Sequence, residues 1–172
     1  MNETGFWRRI DRVIRWLAPF ATSVLFLVLA AIPLPIPGYQ SIAPALALTA
    51  VYYWSIFRPD LMPAPAVFVV GILEDAHTGA PLGTNSLVFL VVSASVFRQR
   101  RVVLGKPFAV MWWGFGLTAA GAVLASWFIA SLLSDRMLPP GPALMHYLMT
   151  LAVFPAFAWV LLRMHRAFLT AA

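Results

Sequence analysis

Apolar residues fall into six long blocks along the chain, separated by short connections that are polar, proline-rich or basic. Each block approaches the roughly 20 residues a helix needs to cross a hydrocarbon layer. The pattern predicts transmembrane helices over about 16–32, 40–57, 61–77, 81–97, 108–133 and 143–162. Pro44 falls in the first turn of the second, and the short connections make consecutive helices antiparallel neighbours. Within the sixth block, Pro155 is expected to kink the helix and free a carbonyl near Leu151.

Composition excludes a soluble domain. Of 172 residues, 62% are hydrophobic and 10% charged, against about 45–50% and about 25% in ordinary globular chains. The expected fold class is all-α: a polytopic membrane protein of one domain, residues 1–172, with six transmembrane helices. The absence of cysteine excludes disulfides, thiolate metal sites and thiol catalysis. Arg8, Arg9, Arg12 and Arg15 before an apolar run superficially resemble a signal peptide. The run from Trp16 to Ile32 is long for one, and Pro33-Leu34-Pro35-Ile36-Pro37 offers no small-x-small cleavage site, so a retained first span is expected.

Charge fixes the expected orientation. With the N-terminus in the cytoplasm, the inner side holds Arg8, Arg9, Arg12, Arg15, Arg58, Arg98, Arg100, Arg101, Lys106, Arg163 and Arg166. The outer side holds only Arg136. This is the positive-inside distribution for six spans with both termini cytoplasmic. The net charge of +6 is therefore read as topology and no nucleic-acid partner is expected. Tyr52, Tyr53 and Trp54, like Trp112 and Trp113, are expected at the inner interface, where amphipathic rings anchor and pack. The outer loops carry Pro33, Pro35 and Pro37, and Pro139, Pro140 and Pro142, which terminate helices. Gly114, Thr118, Gly121, Ala122 and Ala125 form a small-residue stripe on the fifth span, read as internal helix packing.

Candidate chemistry concentrates at residues 71–83, where acids interrupt the apolar pattern. Gly71, Asp75, Gly79 and Gly83 recur every four residues, one helical face of small residues and a carboxylate. Pro81 biases Ala80 away from helix, so the helix is expected to end near Gly79 and a second to begin at Pro81 or Gly83. Asp75 should point into the bundle and accept hydrogen bonds. Glu74 and His77, at i and i+3, share a different face and are placed to pair. A charged group at such depth costs about 2.5–3.5 kcal/mol on insertion scales and marks a functional site by default. Glu74, His77 and His146 have the ligand types of a metal site, but no His-Glu-x-x-His motif is present, and they read as polar interface residues. Ser86, Ser93, Ser95 and Ser126 lack a nucleophile context and an evident base. No catalytic residue, cofactor or metal is expected.

The pattern Gly71, Leu73, Asp75, Gly79, Leu82 and Gly83, followed by Asn85, Ser86 and Leu87, resembles the signature of the rod shape-determining protein MreD family. Length, six spans and the basic loop after the fourth span extend the resemblance over nearly the whole chain. Glu74 and His77 stand at variable positions of the motif. The resemblance implies a multi-pass subunit of the bacterial cytoplasmic (inner) membrane, within the elongasome. It implies MreC as principal partner, with MreB, RodA and a class B penicillin-binding protein in one complex, and a fold similar to the S-components of energy-coupling-factor vitamin transporters. The expectation is a non-enzymatic scaffold in peptidoglycan synthesis. Its interaction site is the helix-hairpin motif Gly71, Leu73, Asp75, Gly79, Pro81, Leu82 and Gly83. Glu74, His77 and His146 would line an outer pocket, and the Arg98, Arg100 and Arg101 loop would meet anionic lipid or MreB. The alternative is a solute-binding S-component that uses the same pocket for a vitamin.

Overall fold

Each of the six apolar blocks contributes one helix among the residues that the computed structural model describes, 3–32, 43–134 and 137–169. The helices are α1 (Glu3–Ala30), α2 (Leu46–Phe57), α3 (Ala64–Thr78), α4 (Thr84–Val103), α5 (Phe108–Leu133) and α6 (Pro140–Leu169), with one 3-10 turn at Pro59–Leu61 between α2 and α3. Pro33, Pro35, Pro37, Gln40 and Arg136 lie outside the described residues, as do the side chains of Arg8, Arg9, Arg12, Arg15 and Arg166. Two helical stretches, Phe108–Leu133 and Pro140–His165, are long and apolar enough to cross a membrane by themselves. Leu17–Ala30 and Leu46–Phe57 are shorter apolar stretches.

The bundle is organised around α2. Leu46 to Ile56 is buried without interruption, as expected of a helix apolar all round. Packing on α1, α4 and α6 encloses it, with lesser contact to α3 and α5. Four polar contacts fix its rotation and depth. Trp54 Nε1 donates to Thr22 Oγ1 of α1 at 2.9 Å, and Ser55 and Ser93 of α4 share a 3.0 Å hydroxyl pair. Tyr52 Oη donates to the Met111 carbonyl of α5 at 3.1 Å, and Ala45 N–H donates to Thr150 Oγ1 of α6 at 2.9 Å. Tyr52, Tyr53 and Trp54 are therefore core residues, which corrects their expected place at the headgroups. Five surrounding helices leave no lipid boundary at that face. Trp112 and Trp113, by contrast, are exposed.

Helix ends depart from the expected ones for identifiable reasons. Pro44 precedes α2, where its carbonyl accepts Leu46 N–H, and does not lie within the first turn. The Arg98, Arg100 and Arg101 segment is not a loop. It forms the last turns of α4, which continues to Val103 and gives way only at Gly105 (φ 79°) and Pro107. Charge ends an apolar span without ending a helix, and basic side chains favour a helix C-terminus. After α2, the Arg58 guanidinium hydrogen-bonds Asp60 at 3.0 Å, holding that carboxyl below its ordinary range.

The α5–α6 pair meets through stacked Phe115 and Phe154, with ring centroids 3.9 Å apart. Pro155 lies inside α6 as expected, and the Leu151 carbonyl that it deprives of a partner accepts Trp112 Nε1 at 3.2 Å. The small stripe on α5 is only partly internal. Gly114 faces Tyr52, whose Oη lies 2.8 Å from where a Cβ would stand, and Ala122 is buried. Gly121 meets nothing within 4 Å. The packed small face runs instead through Gly116, Ala119 and Ala122.

Candidate functional site

The hairpin between α3 and α4 is closed by the carboxylate of Asp75. Any helix begins with backbone N–H groups that lack partners within the helix, and α4 receives no cap from its own Gly83. The cap comes from the preceding helix. Gly83 N–H donates to Asp75 Oδ2 at 2.8 Å, and Asn85 N–H donates to Oδ1 at 2.9 Å. Asp75 is fully buried. A carboxylate at this position gains charge-assisted hydrogen bonds and the favourable end of the helix dipole. Both its oxygens are occupied in holding structure.

One turn earlier, α3 and α4 touch backbone to backbone. A Cβ on Gly71 would come 2.4 Å from Ser86 Cα, so only glycine fits. Ser86 Oγ donates to the Phe68 carbonyl at 3.2 Å across the same contact. The turn itself needs two left-handed residues, Gly79 at φ 68° closing α3 and Gly83 at φ 98° opening α4. Gly79 and Gly83 therefore serve conformation, not close packing, because neither has an atom within 4 Å of a Cβ position. Of the two starts open for the second helix, Gly83 is its cap residue, and Pro81 lies in the turn, its carbonyl accepting Thr84 N–H. Leu73 and Leu82 point away from the bundle, Leu82 with 73% of its surface exposed.

Glu74 departs from expectation. It is buried, at 6% exposure, with Oε2 lacking any hydrogen-bond partner in the protein. It does not pair with His77, which is half-buried, and Arg58–Asp60 is the ion pair formed among the described residues. Glu74 instead faces a cavity of about 220 Å³ framed by the ends of α2, α3, α4, α5 and α6. Thr84, Asn85, Ser126, Trp127 and His146 share its lining with Glu74. Ser126 Oγ donates to Asn85 Oδ1 at 3.0 Å, and Trp127 Nε1 donates to the Leu138 carbonyl at 3.1 Å. Thr84 Oγ1, like Glu74 Oε2, is buried without a partner. The structure thus brings Glu74 and His146 to one cavity and leaves His77 outside its lining. No group of three metal-ligating side chains forms among the described residues.

Thr84 was passed over, Asn85 was noted only with the family pattern, and Ser126 only as a serine without nucleophile context. Their signal lay in position, since a hydroxyl and an amide open α4 immediately after the Asp75 motif. The basic side chains of α4, Arg98, Arg100 and Arg101, lie at the end of the bundle opposite this cavity, with Arg100 over the Phe97 ring at 5.0 Å.

The model of one family, the rod shape-determining protein MreD, matches residues 10–164. The chain belongs to the MreD family. No curated protein and no solved structure matches it. Membership gives the chain a role in rod shape determination as a structural component of a membrane, and nothing in it points to catalysis. The match spans all six helices of the bundle, including the Asp75 hairpin.

Proposed function

We propose that this chain is a non-enzymatic scaffold that presents the α3–α4 hairpin to MreC in the bacterial cytoplasmic membrane. The observation that carries the reading is the Asp75 cap, which holds two backbone N–H groups of the next helix from within the bundle. It fixes the hairpin while leaving Leu73 and Leu82 exposed on its flank. A rigid turn with unburied leucines is suited to a partner helix or strand, and its polar atoms are already spent on structure. The six helices cross the membrane with both termini inside, which puts the hairpin and its cavity on the outer half. The basic last turns of α4 then face anionic lipid, where each cationic residue contributes about 1 kcal/mol, or MreB. Coupling to RodA and a class B penicillin-binding protein follows through the same complex, as does a fold of S-component type.

The test is capture of the tagged protein in mild detergent followed by mass spectrometry. MreC should accompany the wild type and be lost with Leu82→Glu, which changes an exposed residue and leaves the protein level intact. Asp75→Ala should lose MreC together with thermal stability. Undiminished MreC with both variants would sink this reading. Alkaline phosphatase fused at Ala80 or Met137 should be active, and inactivity at either would redraw the topology. A second reading, the solute-binding S-component, is favoured by the cavity beside Glu74. Recovery of an ATPase pair in place of MreC would establish it.

A further inference from the structure

We infer that the cavity at Glu74 is a binding site for an organic cation, a primary ammonium on a short apolar stem. Glu74 and Thr84, which line this cavity, each bury a polar atom, Oε2 and Oγ1, that has no partner in the protein. Burial of a carboxylate oxygen without a donor is costly, and of a hydroxyl less so, and a ligand that supplies the donors recovers that cost. The neighbouring carboxylate shows the contrast. Asp75 is equally buried but satisfied twice by backbone N–H, so of these two carboxylates Glu74 is the one with an unspent acceptor. An ammonium brings three donors, matched by the Glu74 carboxylate, the Thr84 hydroxyl oxygen and the Asn85 carbonyl oxygen, the last already accepting from Ser126.

The remaining wall selects the rest of the ligand. It is largely carbon, contributed by Leu48, Val88, Phe89, Ala122 and Trp127. Aromatic faces next to a carboxylate suit an organic cation. A metal ion is less suited, because no three histidine or acidic side chains converge among the described residues. Volume limits size, since about 220 Å³ lies below the roughly 300–1,000 Å³ of pockets for drug-sized ligands and cofactors. A butylamine-like group fits this volume. Such a group is available as a free small amine or as the lysine side chain of a partner. The inference concerns binding by the isolated chain and stands apart from MreC capture. It rests on the proposed topology only for the side of the membrane from which the cation arrives.

The test is thermal unfolding of the purified full chain in detergent, titrated with n-butylammonium and, in parallel, with the isosteric neutral 1-butanol at matched ionic strength. Butylammonium should raise the Tm of the wild type saturably, and butanol should not. Glu74→Gln should retain an unliganded Tm near that of the wild type and bind butylammonium at least about ten-fold more weakly, the loss of one charged hydrogen-bond acceptor. Thr84→Val, which keeps the charge, should weaken binding less. Native mass spectrometry of the protein as isolated separates the sources. A bound amine absent from Glu74→Gln identifies a free ligand, and butylammonium-driven release of a copurifying chain identifies a lysine. No Tm rise in the wild type, an equal rise with butanol, or undiminished binding by Glu74→Gln would each overturn the inference.

Discussion

The α3–α4 connection runs through residues 79–83 and the α5–α6 connection through residues 134–139, and the two hairpins are held by different means. In the first, a buried carboxylate reaches across to the start of the next helix, and a glycine lets the two backbones touch. In the second, Phe115 stacks on Phe154, Trp112 reaches the Leu151 carbonyl, and neutral side chains tie Leu138. Directional contacts define one geometry and tolerate little change. Stacked rings and single neutral hydrogen bonds tolerate repacking. The helices that announce a membrane protein most clearly, α5 and α6, thus differ from those that carry the Asp75 cap. Hydrophobicity and specificity have been divided between two hairpins of one bundle.

The comparison breaks most visibly at glycines. Gly71→Ala places a methyl group on the Ser86 backbone, so the helices must separate, at a cost of about 3 kcal/mol. Gly121→Ala meets nothing within 4 Å and should be neutral or stabilising by up to about 1 kcal/mol through helix propensity. Thermal unfolding of both variants in one detergent, followed by circular dichroism, reads the difference. Equal Tm values would remove the distinction between a locked and a permissive hairpin.

Next in size is the carboxylate cap. Asp75→Ala strands two backbone donors in the interior and should cost about 2–3 kcal/mol, while Asp75→Asn, which keeps one acceptor, should cost less. Amide hydrogen exchange at Gly83 and Asn85 checks the mechanism, because protection should fall there before it falls in α5. The smallest effect belongs to Trp112→Phe, which removes the donor to the Leu151 carbonyl but keeps an aromatic ring. A loss of about 1 kcal/mol is expected, read as a Tm shift well below that of Asp75→Ala.

Much of this architecture was legible as a pattern. Apolar length located all six helices, and the four-residue spacing put Asp75 on the buried face with Gly71. What the spacing did not carry was the partner, because the donors are backbone atoms of Gly83 and Asn85 and leave no mark in side-chain chemistry. It also misjudged Gly79, whose positive φ is a turn requirement indistinguishable from close packing in a list of glycines. Glu74 was given to His77 because helical geometry brings i and i+3 together. Burial against four other helices is a tertiary fact that no local rule contains. Likewise α4 outran its apolar segment, since Arg98 to Val103 contains nothing that breaks a helix.

The enclosure of α2 has a physical corollary. A transmembrane segment normally feels bilayer thickness through its hydrocarbon contact, adjusting by tilt or by deforming the lipid. Residues Leu46 to Ile56 are shielded by protein throughout, so they exchange no such stress with acyl chains. The other helices alone register a thicker or thinner membrane. Any strain taken up by those helices reaches α2 through side-chain packing and through its bonds to Thr22, Ser93, Met111 and Thr150. The central helix touches protein on every side, and the helices around it carry whatever contact the bundle makes with lipid.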